Sequence, residues 1–154
     1  MKSWFGLFTI ALSLVSLVGC GSDLSTAPAS GVVLYNGQPL AEANVVFAPE
    51  QGGPASVALT GPDGKFALSM NSGRGAVVGK HGVSIQANER YRIDGKPMSD
   101  ADRQMPQTES DLKSPFRVRS KIPETYGNPE SSGLSADVEK GSENSFKFEL
   151  TGKS

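Results

Sequence analysis

At 154 residues the chain has room for one domain and a leader, and 37% hydrophobic residues with 18 Gly and 10 Pro suit a turn-rich β domain and exclude a wholly disordered chain. The 15 Lys and Arg against 16 Asp and Glu leave a net charge of −1, which excludes the basic footprint of a nucleic-acid-binding domain. With a single cysteine, no internal disulfide can form, so the domain must be held by its own core.

The chain begins with a positive start, Met1-Lys2-Ser3, followed by a run of mainly apolar residues from Trp4 to Val18. That is the layout of a signal peptide over residues 1–19, and the run is shorter than the ~20 apolar residues of a membrane span. It ends in Leu17-Val18-Gly19-Cys20, which resembles the lipobox of bacterial lipoproteins. The resemblance implies cleavage between Gly19 and Cys20, with the Cys20 thiol carrying a diacylglyceryl thioether and membrane lipid as its partner. Two acyl chains, at ~0.8 kcal/mol per buried methylene, hold a protein at a membrane far more firmly than one does. Gly21 in place of Asp implies, by the same resemblance, an outer-membrane address on the periplasmic face or the cell surface.

Residues 20–29, the anchor cysteine and then GSDLSTAPA, are small and polar and read as a tether. From Ser30 to Leu68 apolar residues recur at a spacing of two: Val32 and Leu34, then Ala43, Val45 and Phe47, then Val57 and Leu59, then Phe66 and Leu68. This is strand periodicity, with each set on one face. Asn36-Gly37 and Asp63-Gly64 are turn dipeptides between the runs, and Leu40, after Pro39, is expected to plug the core. Val77, Gly79, His81, Val83 and Ile85 continue the pattern. Short strands with turn chemistry between them indicate an antiparallel sandwich rather than a parallel α/β sheet.

From Asn88 to Ser120 the pattern lapses into a polar insertion rich in charges of both signs, expected to be solvated, with a loop that orders on a partner as the alternative. Arg90, Tyr91 and Arg92 at one end and Phe116 and Arg117 at the other are the candidate interaction residues, because aromatic side chains flanked by arginine suit interface cores. They are equally readable as the ends of flanking strands. Pro123 places Ile122 to Tyr126 at an edge or a turn. Leu134, Ala136 and Val138, then Phe146, Phe148 and Leu150, alternate as the last two strands around a turn at Gly141 to Asn144, and residues 151–154 form a tail.

Taken in order, Ser30-Gly31-Val32, Asn36-Gly37-Gln38-Pro39-Leu40, Ala43, Val45, Phe47, Asp63-Gly64-Lys65-Phe66, Gly79 to Ile85, Ile122 to Tyr126, Ser132-Gly133-Leu134, Val138 and Asn144 to Leu150 resemble the carboxypeptidase regulatory-like, or transthyretin-like, domains of small bacterial lipoproteins. The resemblance implies an all-β, Ig-like or transthyretin-like sandwich of about seven strands over residues 30–150, with no catalytic residue and no cofactor. One transthyretin-like activity is hydrolysis of 5-hydroxyisourate, which requires more than one histidine and a C-terminal Tyr-Arg-Gly-Ser. Here His81 is the one histidine, and the chain ends Leu150-Thr151-Gly152-Lys153-Ser154.

No metal site is indicated either: zinc needs three or four ligands, and Asp100 and Asp102 lack the glycine and distal glutamate of a calcium loop. The sequence therefore reads as an envelope lipoprotein with a non-catalytic binding or structural module, its partner an envelope protein or polysaccharide. A carbohydrate-binding module is the alternative, and a small hydrolase using His81 beside Ser84 is a more distant one.

Overall fold

The computed structural model describes residues 24–71, 73–104 and 115–153; the expected signal peptide through Gly19, the expected lipidation site Cys20 and residues 21–23 lie outside the described residues. Strand pairing begins before Ser30. β1 (Thr26–Ala27) pairs with β9 (Ala76–Val77), and β2 (Ala29–Tyr35) opens the main sheets, so residues 26–29 belong to the sandwich and not to a tether. Ala27 and Ala29 are buried, which is the physical reason: small apolar side chains close to the core are drawn into it.

After β2 come β3 (Gln38–Pro39), β4 (Asn44–Pro49), β5 (Ser56–Leu59), β6 (Lys65–Ala67), β7 (Ser69–Met70), β8 (Gly73–Arg74) and then β9. β10 (Gly79–Gln86), β11 (Asn88–Arg92), helix α1 (Asp100–Gln104), β12 (Phe116–Ser120), a 3-10 turn (Glu124–Gly127), β13 (Leu134–Val138) and β14 (Asn144–Leu150) complete the described chain. One sheet has the order β13-β10-β4-β5-β7-β8, and the facing sheet is centred on β2, with β14 along one edge and β6 and β3 along the other. The architecture is an all-β sandwich with antiparallel pairing except at one place: β14 runs parallel to β2.

The exception follows from the last connection. β13 lies in one sheet and β14 in the other, so the chain crosses the sandwich at residues 139–143 instead of closing a hairpin. Asn144, buried, holds this crossing: its Oδ1 accepts from the Glu139 amide at 2.8 Å, and its Nδ2 donates to the carbonyls of Pro28, Glu139 and Ser142. Elsewhere the turns follow their sequence signals. Asn36 and Gly37 both take positive φ, 48° and 80°, as a two-residue hairpin turn requires.

The core is centred on Phe47. Its ring lies 5.3 Å from Phe146, 5.9 Å from Phe148, 6.3 Å from Phe66 and 5.7 Å from the imidazole of His81, centroid to centroid. Val45, Val83, Ile85, Val138 and Leu150 pack around this cluster, and Leu40 plugs it as the sequence indicates. Gly31 belongs to the same region, because a Cβ there would stand 2.2 Å from the Phe146 carbonyl oxygen and 2.8 Å from the Phe66 ring. Only glycine fits.

Two strands face the other way from the sequence pattern. On β2 it is Val33 that is fully buried, with Val32 and Leu34 half-buried, because three consecutive apolar residues leave the period ambiguous and the bonds Val33 N to Gly64 O and Leu40 N to Val33 O set the register. On β5 Val57 and Leu59 are exposed while Ser56 is fully buried. Ser56 stands directly opposite Phe47, and residues opposite one another share a face, so the strand beside the large ring turns its small residues inward.

Candidate functional site

The insertion is not structureless. β11 and β12 pair as an antiparallel ribbon running from Asn88 opposite Ser120 to Arg92 opposite Phe116, and the Lys121 amide donates to the Ala87 carbonyl at 2.7 Å at its root. Among the described residues this replaces the expected structureless loop with paired strands, in line with the reading of these residues as strand ends: alternating side chains supply both faces with contacts, so the backbone pairs. All five predicted interaction residues, Arg90, Tyr91, Arg92, Phe116 and Arg117, stand on this ribbon.

Opposed residues share a face. One face carries Asn88, Arg90, Arg92, Phe116, Val118 and Ser120, and the other Glu89, Tyr91, Arg117 and Arg119. On the first, the guanidinium groups of Arg90 and Arg92 lie over the Phe116 ring, 4.9 and 5.6 Å from its centroid. Cation–π contacts of this kind order an exposed ring by about 0.5–1 kcal/mol.

Helix α1 closes over this face. Ser99 and Asp102 form a reciprocal capping box, in which the Ser99 amide donates to Asp102 Oδ2 at 2.9 Å and the Asp102 amide donates to Ser99 Oγ at 3.2 Å. Arg92 reaches Asp102 Oδ1 at 3.2 Å and Asp94 Oδ2 at 2.7 Å, and Arg90 donates to the Asp102 carbonyl. The Asp94 carboxyl is held at about 2 by the hydrogen bond from Arg92, and that of Asp102 is lowered chiefly by hydrogen bonds from Ser99. The partners of Arg92 push its own ionisation further up. Asp102 is thus a capping residue and an ion-pair partner, a role signalled in the sequence by Ser99-x-x-Asp102 and not by the Asp-x-Asp spacing.

The second face carries Tyr91 and Arg119 in contact. Tyr91 is exposed with the Arg119 guanidinium 5.2 Å over its ring, and Arg119 also pairs with Glu89. At the ribbon root a groove of about 330 Å³ is lined by Ile85, Val118, Ile122 and Pro123, with Asn88, Arg119 and Glu124 among its polar neighbours. Ile85 and Ile122 are almost fully buried and Val118 is 58% exposed, so the core itself builds the floor and the ribbon supplies one wall. Arg119 and the groove were not singled out by the sequence; alternation through Phe116-Arg117-Val118-Arg119 is the signal that finds them. A groove of about 280 Å³ near Leu24, Ser25, Pro49 and Lys80 lies at the other end of β10, where the N-terminal segment enters.

His81 is fully buried in the core, and its Nδ1 donates to the Gly79 carbonyl at 2.8 Å because a carbonyl can only accept. Nε2 finds no partner among the described residues. Burial pushes the imidazole below its ordinary value, against the opposing influence of the Gly79 bond and the carboxylates of Asp137 and Glu50. Ser84, an odd number of residues away on β10, points to the opposite face beneath the 124–133 segment, whose Gly127 carbonyl accepts from Gln86 and whose Ser132 hydroxyl donates to the Val83 carbonyl. His81 and Ser84 are not brought together.

Tyr35 and Tyr126 donate their hydroxyls to the carbonyls of Gly152 and Thr151, tying down the C-terminus, which leaves Tyr91 as the exposed tyrosine among the described residues. Among these residues no group of three or more His, Cys, Asp or Glu is placed to hold a metal ion, and no helix is long and apolar enough to cross a membrane. Comparison with protein-family models, characterised proteins and solved structures finds no match for the chain.

Proposed function

We propose that this chain is a lipid-anchored envelope protein of the carboxypeptidase regulatory-like class, in which a non-catalytic sandwich carries a recognition ribbon. The observation that carries the reading is the gathering of Arg90, Tyr91, Arg92, Phe116 and Arg117 on one ordered ribbon that leaves the sandwich by two adjacent strand ends. Loops and arms on a rigid scaffold are where binding residues concentrate. The anchor rests on Leu17-Val18-Gly19-Cys20, with Cys20 taking the acyl chains and cleavage falling after Gly19. Glycan stacking, the alternative, calls for a row of exposed aromatic rings, and Tyr91 is the one exposed ring among the described residues.

Two measurements test the reading. Cys20→Ala should abolish lipidation and move the chain out of the membrane fraction; a variant that still sediments with membranes overturns the anchor. In-cell crosslinking of the full chain beside one lacking residues 88–120 should show a partner captured only with the ribbon present. The same partner captured by both forms would place recognition on the sandwich.

A further inference from the structure

One end of the sandwich is defined by the strand registers. Gly79 stands opposite Val138, where the crossing at residues 139–143 begins, and Asn144, where it ends, stands opposite Ala29. His81 stands opposite Pro49, so the β4–β5 turn reaches the same end, and there the Glu50 amide donates to the Lys80 carbonyl at 2.9 Å. The N-terminal segment is fastened beside them. The Val78 amide donates to the Ser25 carbonyl at 2.9 Å, and Leu24, 47% exposed, lies against Gly53, its Cδ1 3.8 Å from where a Cβ on that glycine would stand. Leu24 also lines the groove of about 280 Å³ together with Pro49, Gly52, Val77 and Lys80.

Resting on the reading of Cys20 as the acylated residue, we infer that this end of the sandwich is a lipid-contacting surface, held against the headgroups of the bilayer with Leu24 and the β4–β5 turn foremost. Reach decides it. Ser25 is already bonded to the domain, so the span available as a tether shrinks from residues 20–29 to the residue steps between Cys20 and Leu24, at most ~14 Å. The headgroup layer takes ~5–8 Å of that, half the difference between a ~30 Å hydrocarbon core and a total of ~40–45 Å, which leaves Leu24 no more than ~9 Å above the lipid surface. β10 alone measures roughly 23 Å from Gly79 to Gln86, so the domain cannot turn over in such a gap. Nor is there room for another protein layer, since a helix with its side chains is ~10–12 Å across. Charge is not what holds this end, because the exposed Glu50 and Glu139 are matched by the exposed Lys80 and Lys140. Leu24 is placed to enter the headgroup layer, which takes its exposed surface out of water. The ribbon leaves β10 at Gln86, the end away from the lipid, so its partner is met on the aqueous side.

The test is lipid-nitroxide quenching of a fluorophore on the acylated mature chain. Cys20 is the one cysteine and carries the lipid, so an introduced cysteine is the sole free thiol. The label is placed at Gln51→Cys in the β4–β5 turn, at Lys140→Cys in the crossing or at Lys96→Cys beyond β11, all exposed positions, and each variant is used only if it unfolds at the parent midpoint. In phosphatidylethanolamine–phosphatidylglycerol vesicles with nitroxide on the headgroups, the labels at 51 and 140 should lose most of their emission and the label at 96 little. Aqueous iodide should reverse that order. Inserting about twelve Gly and Ser residues, roughly 20 Å in mean span, between Asp23 and Leu24 should bring the nitroxide quenching at 51 and 96 together.

Equal nitroxide quenching at 51 and 96, stronger quenching at 96, or no change on lengthening the tether overturns the inference. A label at 51 shielded from both nitroxide and iodide would mean that protein covers this end, and overturns it too. The anchor is checked separately by mass. A chain without the diacylglyceryl mass on Cys20 sinks the anchor and this inference with it, whereas an acylated, vesicle-bound chain quenched equally at all three positions sinks this inference alone.

Discussion

The sandwich and the ribbon are built on different physics within one chain. In the sandwich, Phe47 and the rings around it are specified by volume: Gly31 has no room for a Cβ and Ser56 is turned inward beside the ring. In the ribbon, order comes from arginines over Phe116 and Tyr91 and from carboxylates near water, contacts that individually contribute about 0–1 kcal/mol. The two meet at a narrow junction, Ala87 beside Lys121. A region specified by volume cannot be altered piecemeal, whereas one specified by charge at the surface can change its partner without disturbing the fold beneath.

The contrast is sharpest at Phe47. Phe47→Ala should cost about 3–5 kcal/mol, the usual loss for a buried ring, read as a fall in denaturant midpoint; a midpoint near that of the parent would show that the aromatic cluster is not the centre of stability. Gly31→Ala should follow at about 1–3 kcal/mol, since Phe146 and Phe66 must move to admit one methyl group. An unchanged midpoint there would mean that the two sheets pack less tightly than the contact distances imply.

A third, smaller effect depends on pH. The buried His81 has a lowered pKa, so between that value and about 6.5 the unfolded chain binds more protons than the folded one. The stability conferred by the neutral imidazole is therefore fully present above about pH 6.5 and is lost as pH falls through the lower folded value. Midpoints measured across this window should drop with acidity in the parent and drop less in His81→Phe; equal slopes in the two chains would show that His81 does not titrate differently on folding. The smallest expected effect is Asp102→Asn, which weakens the pairing with Arg92 and the cap with Ser99. Amide exchange should quicken in α1 and the ribbon while β4 and β10 stay protected, and faster exchange throughout the sandwich would erase the distinction between the regions.

Where one face of a strand is buried and the other polar, the sequence shows its structure plainly. Ala43 just before β4 with Val45 and Phe47 on it, Phe66 and Leu68, and His81, Val83 and Ile85 on β10 all point inward as their spacing indicates. The signal fails where apolar residues run consecutively, as at Val32-Val33-Leu34, or where the inward residues are small because a neighbour is large, as on β5. It fails again at β14, whose alternation is clear but whose parallel pairing depends on a crossing held by Asn144, a residue that reads only as part of a turn. For the ribbon, the aromatic and arginine residues were visible as a group. Their pairing was not, because alternation between arginine and a scattering of apolar residues resembles a solvated segment until the opposite strand is in place.

The division between scaffold and ribbon is tested most directly by denaturant unfolding of a chain in which residues 88–120 are replaced by a short turn between Ala87 and Lys121. These two residues are already hydrogen-bonded, so the account predicts one cooperative transition at a midpoint close to the parent's. A broad, non-cooperative transition, or a midpoint lowered as far as that of Phe47→Ala, would contradict it and make the ribbon part of the core.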